Sequence, residues 1–285
     1  MRMLRPAHRR SFNLQSAISN LHSHRSTTMA GTYLYGVVDV NGKGRGSWGA
    51  IGIGSPRREV YVVAEGDIGA VVSESPPPPL LPLREHVSAH QSVLERAMQR
   101  HTVLPFSFGT VADDDQLVRQ FLAGNRDDFR DLLQRLKGKV EVGVKAFWSK
   151  ESVMREVKEQ FGDLEELNAE AARDARKGYQ MAVRVGMAVE AVLNGWKSTI
   201  VEQACDELAL HAEAVKTNPP FGVHMILNAT FLMPRQQQRK FESAVYALDD
   251  RVGDRLNFRV AGPLPPYNFV PLRFTEIGAA TPVAA

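Results

Sequence analysis

The sequence is poor in the residues that carry covalent and metal chemistry. Cys205 is its only cysteine, so no intramolecular disulfide can form, which suits a reducing cytoplasm. No stretch approaches the roughly 20 apolar residues that a membrane-spanning helix needs. There is no Gly-x-Ser-x-Gly elbow and no Walker-type lysine loop, so two common hydrolase and nucleotide-binding signatures are missing. Residues 1–28 contain no Asp, Glu or Lys, only Arg2, Arg5, Arg9, Arg10 and Arg25 as charged groups. The formal charge of +3 comes from this segment: 35 basic residues less those five leave 30, against 32 acidic, so the rest of the chain carries −2. A near-neutral body lacks the clustered basic face of a nucleic-acid binder, and no nucleic acid is expected as a partner.

What is present is a globular composition, 44% hydrophobic and 24% charged in 285 residues, enough for one large or two ordinary domains. Residues 1–31 read as a disordered extension rich in Arg, Ser and His, without the apolar core of a secretory signal. Met29 would serve as a natural first residue, and a chain starting there is expected to melt unchanged. Strands are expected at 32–38, 59–63 and 68–72, with Glu65-Gly66-Asp67 turning the last two into a hairpin. Pro76–Pro79 reads as an extended, polyproline-like connector rather than a ligand for a proline-binding module. A helix over about 83–100 presents Leu83, Val87, His90, Leu94 and Ala97 on one stripe. A strand at 102–108, short helices near 116–123 and 127–136, and a long strand at 139–148 complete an N-terminal α+β domain spanning 32–150.

Residues 151–215 read as helical. Val153, Val157, Phe161, Leu164, Leu167 and Ala171 mark one apolar face, Lys177-Gly178 a break, and Val185, Val189, Val192, Trp196, Ile200, Ala204 and Leu208 a second face. Unbroken, residues 179–215 would be about 55 Å long, with Asn194-Gly195 the weak point. The two helices are expected to pack as a hairpin, with Trp196 inside. Strands at 223–233 and 256–260 flank a helix at 235–250. This C-terminal domain covers 151–274, and 275–285 reads as a flexible tail.

The remaining candidates for chemistry reduce to structure. Gly44-Arg45-Gly46-Ser47-Trp48-Gly49 has dinucleotide-fingerprint spacing, but Gly52, Gly54 and Pro56 leave no room for the helix that must follow. His86 and His90 stand at i, i+4, but the metal-ligand set is incomplete and His90 lies within the apolar stripe. Asp113-Asp114-Asp115 precedes a helix and reads as its cap. Cys205 has no nucleophile motif around it. No catalytic residue, metal or cofactor is expected.

Two segments stand apart. Val103-Leu104-Pro105-Phe106-Ser107-Phe108-Gly109-Thr110-Val111 and Ala261-Gly262-Pro263-Leu264-Pro265-Pro266-Tyr267-Asn268-Phe269-Val270 together resemble the paired signatures of the gas vesicle GvpL/GvpF family. The resemblance extends over most of 32–274 and includes the opening strand Tyr33–Val38 and the hairpin Gly66–Ser73. The chain departs from the family pattern in three places. Ser107 stands where arginine is usual, Leu264 where tryptophan is, and Asn268 where serine is.

The resemblance implies a non-enzymatic cytoplasmic accessory of gas vesicle assembly, associated with the vesicles. Its implied partners are the small hydrophobic shell-forming subunit and other vesicle accessory proteins. The implied fold is two-domain α+β. The N-terminal domain is a mainly antiparallel sheet with helices, and the C-terminal domain a long helical hairpin with a small sheet of ferredoxin-like type. The expected binding surface is an apolar cleft between the domains, with Pro265, Pro266, Tyr267 and Phe269 as first candidates and Phe106 and Phe108 as second. The alternatives are that both motifs only hold strands against helices, or that the fold serves a small-molecule-binding or enzymatic protein unrelated to vesicles.

Overall fold

The structure, a computed structural model, describes residues 31–40, 46–162 and 175–270. The expected N-terminal extension, the fingerprint's Gly44 and Arg45, the helical face through Leu164, Leu167 and Ala171, and the C-terminal tail lie outside these residues. The chain divides into two compact units, one from the N-terminal part up to Arg135 together with Val270, and one from Leu136 to Phe269.

The first unit is built on β1 (Thr32–Asp39), β2 (Gly49–Ala50), β3 (Glu59–Glu65), β4 (Ile68–Glu74), β5 (Val103–Pro105) and β6 (Val111–Ala112). The sheet is antiparallel in order β2-β3-β4-β1-β5, with β6 also paired to β1. β1 has partners on both edges and is buried along nearly its whole length, with Tyr33, Leu34, Tyr35, Val37 and Val38 fully inside. Gly36 sits at its bulge, where an added Cβ would stand 2.6 Å from the Leu104 carbonyl oxygen, so only glycine fits.

Helix α1 (Arg84–Met98) buries Ala89, His90, Val93, Leu94, Ala97 and Met98. The expected stripe therefore begins one turn too early: Leu83 and Val87 are 46% and 42% exposed. Helices α2 (Asp115–Gly124) and α3 (Arg126–Leu136) follow. The aspartate run caps α2 as expected, with Leu117 N–H donating to Asp114 Oδ1 at 2.8 Å. Its last member goes further: Asp115 Oδ1 accepts from the hydroxyls of Thr32 and Tyr61 and ties α2 to the sheet. The proline run does not extend straight, because the chain bends at Pro77–Pro79.

The second unit contains β7 (Lys139–Phe147), α4 (Lys150–Phe161), α5 (Ala175–Trp196), a π-helical turn (Lys197–Val201), α6 (Glu202–Ala209), β8 (Ala214–Thr217), β9 (Met225–Pro234), α7 (Gln238–Val252) and β10 (Asn257–Leu264). The antiparallel sheet runs β10-β7-β9-β8. In chain order that is 4-1-3-2 with helical crossovers, the β-α-β-β-α-β pattern of ferredoxin-like folds. Val140, Val142, Val144 and Ala146 of β7 and Ala229, Phe231 and Met233 of β9 form one face of the sheet core; Val153, Val157, Phe241, Val245 and Leu248 on the helices are buried with them.

Three expectations for this part need correcting. The strand at 139–148 closes no N-terminal sheet; it pairs on both sides with β9 and β10. Helix α5 runs through Lys177-Gly178 without a break. The helical stretch does not reach Val215 but ends at Ala209, and the four residues Ala214–Thr217, Val215 among them, form the short, exposed edge strand β8.

Candidate functional site

The first motif occupies the turn between β5 and β6, two strands that pair with the same edge of β1. Phe106 N–H donates to the Tyr35 carbonyl at 2.9 Å, and Leu34 N–H to the Thr110 carbonyl at 2.9 Å, so both ends of the turn are sewn onto β1. Gly109 has φ +90 with open space around it, so it serves conformation rather than close approach. Its N–H donates to Tyr33 Oη at 3.1 Å, and Tyr33 Oη lies 2.8 Å from His90 Nδ1. Tyr33 therefore donates to Nδ1, and the protonated Nε2 of His90 serves the backbone carbonyl of Phe106. His90 is buried, and that burial lowers its pKa from 6.5 to about 4, against a smaller opposing effect of the Phe106 carbonyl. The imidazole is neutral at physiological pH, with the rings of Tyr33, Tyr35 and Phe108 packed around it.

A second buried network lies beside the first. Tyr35 Oη contacts Ser73 Oγ at 2.9 Å and accepts from Ile53 N–H at 2.9 Å, which locks the glycine-rich loop and β4 onto β1.

The hairpin motif also has a physical role. Asp67 receives Arg126 Nε and Nη2 at 3.1 and 2.8 Å and Arg130 Nε at 2.6 Å. The Arg126 hydrogen bond, with Arg130 adding to it, holds the Asp67 carboxyl below the usual range. Arg126 lies against Gly66, which turns at φ +65.

The second motif is anchored by a residue that sequence reasoning missed. Glu141 of β7 is 2% exposed, and its Oε2 and Oε1 accept from Asn268 N–H at 2.8 Å and Asn268 Nδ2 at 2.7 Å. Lys216 Nζ reaches the Asn268 carbonyl at 3.4 Å. Burial pushes the Glu141 carboxyl up, while the Asn268 hydrogen bonds and the Lys216 charge pull it down. Asn268, where the family pattern has serine, thus supplies both donors of the clamp. The only sequence signal was an acidic residue in a valine-rich strand, on the face opposite the valines.

The six candidate contact residues separate accordingly. Phe106 is 1% exposed, and Pro265 and Pro266 are buried. Only Phe108, Tyr267 and Phe269 keep partial surface. The proline ridge is therefore packed rather than presented. Ser107, by contrast, faces solvent at the tip of its turn. The largest exposed apolar groups lie elsewhere. Phe221 and Val223, at 85% and 79%, stand in the β8–β9 loop, and Tyr179, Val183 and Met187 form an i, i+4, i+8 row on α5. Among the described residues no helix is long and apolar enough to cross a membrane, and no group of three His, Cys, Asp or Glu is placed to hold a metal.

The chain is similar to known proteins in sequence and in fold. The family model described as gas vesicle synthesis protein GvpL/GvpF matches residues 31–271. Gas vesicle protein F of Streptomyces sp. (strain CB03234) is 32% identical over 246 residues, covering 84% of this chain and 99% of the relative. That of Dolichospermum flosaquae is 28% identical over 226 residues, covering 77% and 90%. The crystal structure of GvpF from Anabaena sp. PCC7120 superposes with a TM-score of 0.68 at 28% identity, over 86% of this chain and 99% of that one. The GvpF structure from Microcystis aeruginosa gives 0.67 at 28% identity, over 86% and 100%. The match begins just before β1 and ends just after the Glu141–Asn268 clamp, taking in both motifs and the networks that hold them: the chain belongs to the gas vesicle GvpL/GvpF family.

Proposed function

We infer that this protein is a non-enzymatic accessory of gas vesicle assembly. It works in the cytoplasm in association with the vesicles and binds the small hydrophobic shell-forming subunit through apolar surface. Membership of the GvpL/GvpF family carries this reading, since the matching family model is one of gas vesicle synthesis. A subunit with exposed apolar surface aggregates unless that surface is covered, and an escort covers it with apolar surface of its own. The exposed Phe221 and Val223 of the β8–β9 loop are the apolar groups suited to the task, and the row Tyr179, Val183 and Met187 on α5 is a second candidate. Tyr267, Phe269 and Phe108 are half-buried and contribute at most a rim. The buried members Phe106, Pro265 and Pro266 act by holding the fold.

The test is a titration of purified shell subunit against the wild type, Phe221→Ser and Tyr267→Ala, with folding checked by circular dichroism. A central aromatic anchor costs about 2 kcal/mol or more on truncation, roughly a thirtyfold loss of affinity. Such a loss is expected for Phe221→Ser, with little effect of 0.5 M salt. Absence of wild-type binding sinks the reading. Loss in Tyr267→Ala alone moves the binding face to the second motif.

A further inference from the structure

The face of the second sheet opposite its valine core carries two exposed cations, Lys145 and Arg259, that no carboxylate among the described residues neutralises. Side chains alternate along β7, so Glu141, Gly143, Lys145 and Phe147 point away from the face formed by Val140, Val142, Val144 and Ala146. Register places Arg259 of β10 directly opposite Lys145, and both are exposed. Like charges directly opposite in an antiparallel pair are destabilising. Neither cation has a carboxylate partner among the described residues. Arg259 instead lies over the Phe147 ring at 5.0 Å, with Nε 3.4 Å from Asn257 Oδ1. The one acid that β7 directs to this face, Glu141, is buried and committed to Asn268.

The next row is Ala261–Gly143–Thr230–Lys216. Its ends, Ala261 and Lys216, are exposed, Gly143 and Thr230 between them are buried, and an added Cβ on Gly143 would meet only Ala261 within 4 Å, so the row is low. Lys216, exposed at its end and already reaching the Asn268 carbonyl with Nζ at 3.4 Å, stands two strands and two residues from Lys145. Strand spacing and rise put that separation at about 12 Å, which an extended peptide spans between residues i and i+4.

We propose that this face is a docking site for an acidic, extended segment of a protein partner, with one carboxylate between Arg259 and Lys145 and a second at Lys216. Arginine takes a carboxylate in two parallel hydrogen bonds, and the opposed lysine closes on it from the next strand. Three cations match the two or three carboxylates of a short peptide. They fall short of the phosphates of a nucleic acid, and a body of net −2 beyond residue 28 offers such a polyanion no further attraction. The site recognises charge and stands independently of the apolar binding inferred above.

The experiment measures anisotropy of fluorescein-labelled hexaglutamate, and separately of labelled (dT)12, against the full chain at 50 and 200 mM NaCl. K145E/R259E should weaken hexaglutamate binding at least tenfold, whereas R239E/K240E, the same charge change on exposed positions of α7, should leave it within twofold. Lys145→Glu alone places opposite charges in register and should raise the melting temperature while weakening the peptide. Equal losses in both double variants, a lower melting temperature in Lys145→Glu, or no wild-type binding overturns the proposal. Tighter binding of (dT)12 than of hexaglutamate, lost in K145E/R259E, overturns it in favour of a nucleic-acid face.

Discussion

His90 shows how one side chain can make an exposed-looking motif structural. Its folded pKa is depressed from 6.5 to about 4, so the fold favours the neutral ring. The stability this represents is present above pH 6.5 and is lost as pH falls through about 4, because the unfolded chain then binds the proton more readily. At about 1.4 kcal/mol per unit the loss is on the order of 3 kcal/mol. Urea unfolding at pH 7 and pH 5 should show a fall of about 2 kcal/mol in the wild type. In His90→Gln, which cannot titrate, the fall should be smaller.

Glu141 acts in the opposite sense. Its folded pKa is raised, so its contribution is most favourable below the unfolded value and is lost as pH rises through the folded one. The clamp limits that cost at neutral pH. Asn268→Ala strips one donor from a buried carboxylate and should cost about 1–3 kcal/mol in urea unfolding at pH 7. The loss should shrink near pH 4, where Glu141 gains a proton. Neither network was legible in the sequence, because Tyr33 and His90 are 57 residues apart and Glu141 and Asn268 are 127 apart. Hydrogen bonds over such separations leave no local pattern.

Among the elements, those with strong periodicity were legible and those shaped by neighbours were not. The strands at β1, β3, β4, β7 and β9 follow from β-branched and aromatic runs, and the hairpin turn follows from Glu65-Gly66-Asp67. β8 is Ala-Val-Lys-Thr, four residues with no alternation, and it forms only because β9 offers an edge. Helix α5 crosses Gly178 because its apolar side is buried at Met181, Ala188, Val192 and Trp196, and that packing outweighs glycine's propensity cost of about 1 kcal/mol. The weak point at Asn194-Gly195 is real, since regular α-geometry gives way to a π-turn at Lys197.

Trp196 just before it is 4% exposed, as its place on the stripe predicts, although its Nε1 finds no acceptor among the described residues. Trp196→Ala should cost about 3–5 kcal/mol, read by denaturant unfolding. Gly186 is the converse case: it is helical and exposed, with nothing within 4 Å of an added Cβ. Gly186→Ala should stabilise by roughly 1 kcal/mol, seen as a higher melting temperature.

At the scale of the whole molecule, the question is where the chain can be cut. A boundary at 150 strips β7, the strand flanked by β9 and β10, from the second sheet; one at 135 keeps all four strands together. A fragment of residues 136–270 is expected to melt cooperatively, and one of residues 151–274 is expected not to, as calorimetry of both will show. A cooperative transition in the second fragment would mean that β7 is dispensable to the sheet.

Composition and periodicity by themselves determined the α+β class, most strands and helices and the lack of a spanning helix, because each depends on residues close together in the chain. The paired motifs determined the family. Tertiary structure alone decided that β7 joins the second sheet, that Phe106, Pro265 and Pro266 are interior, and that Lys145, Arg259 and Lys216 share one open face. Those outcomes depend on strand register between segments up to 123 residues apart, as in Leu264 opposite Glu141, and a one-residue change of register would turn each side chain to the opposite face.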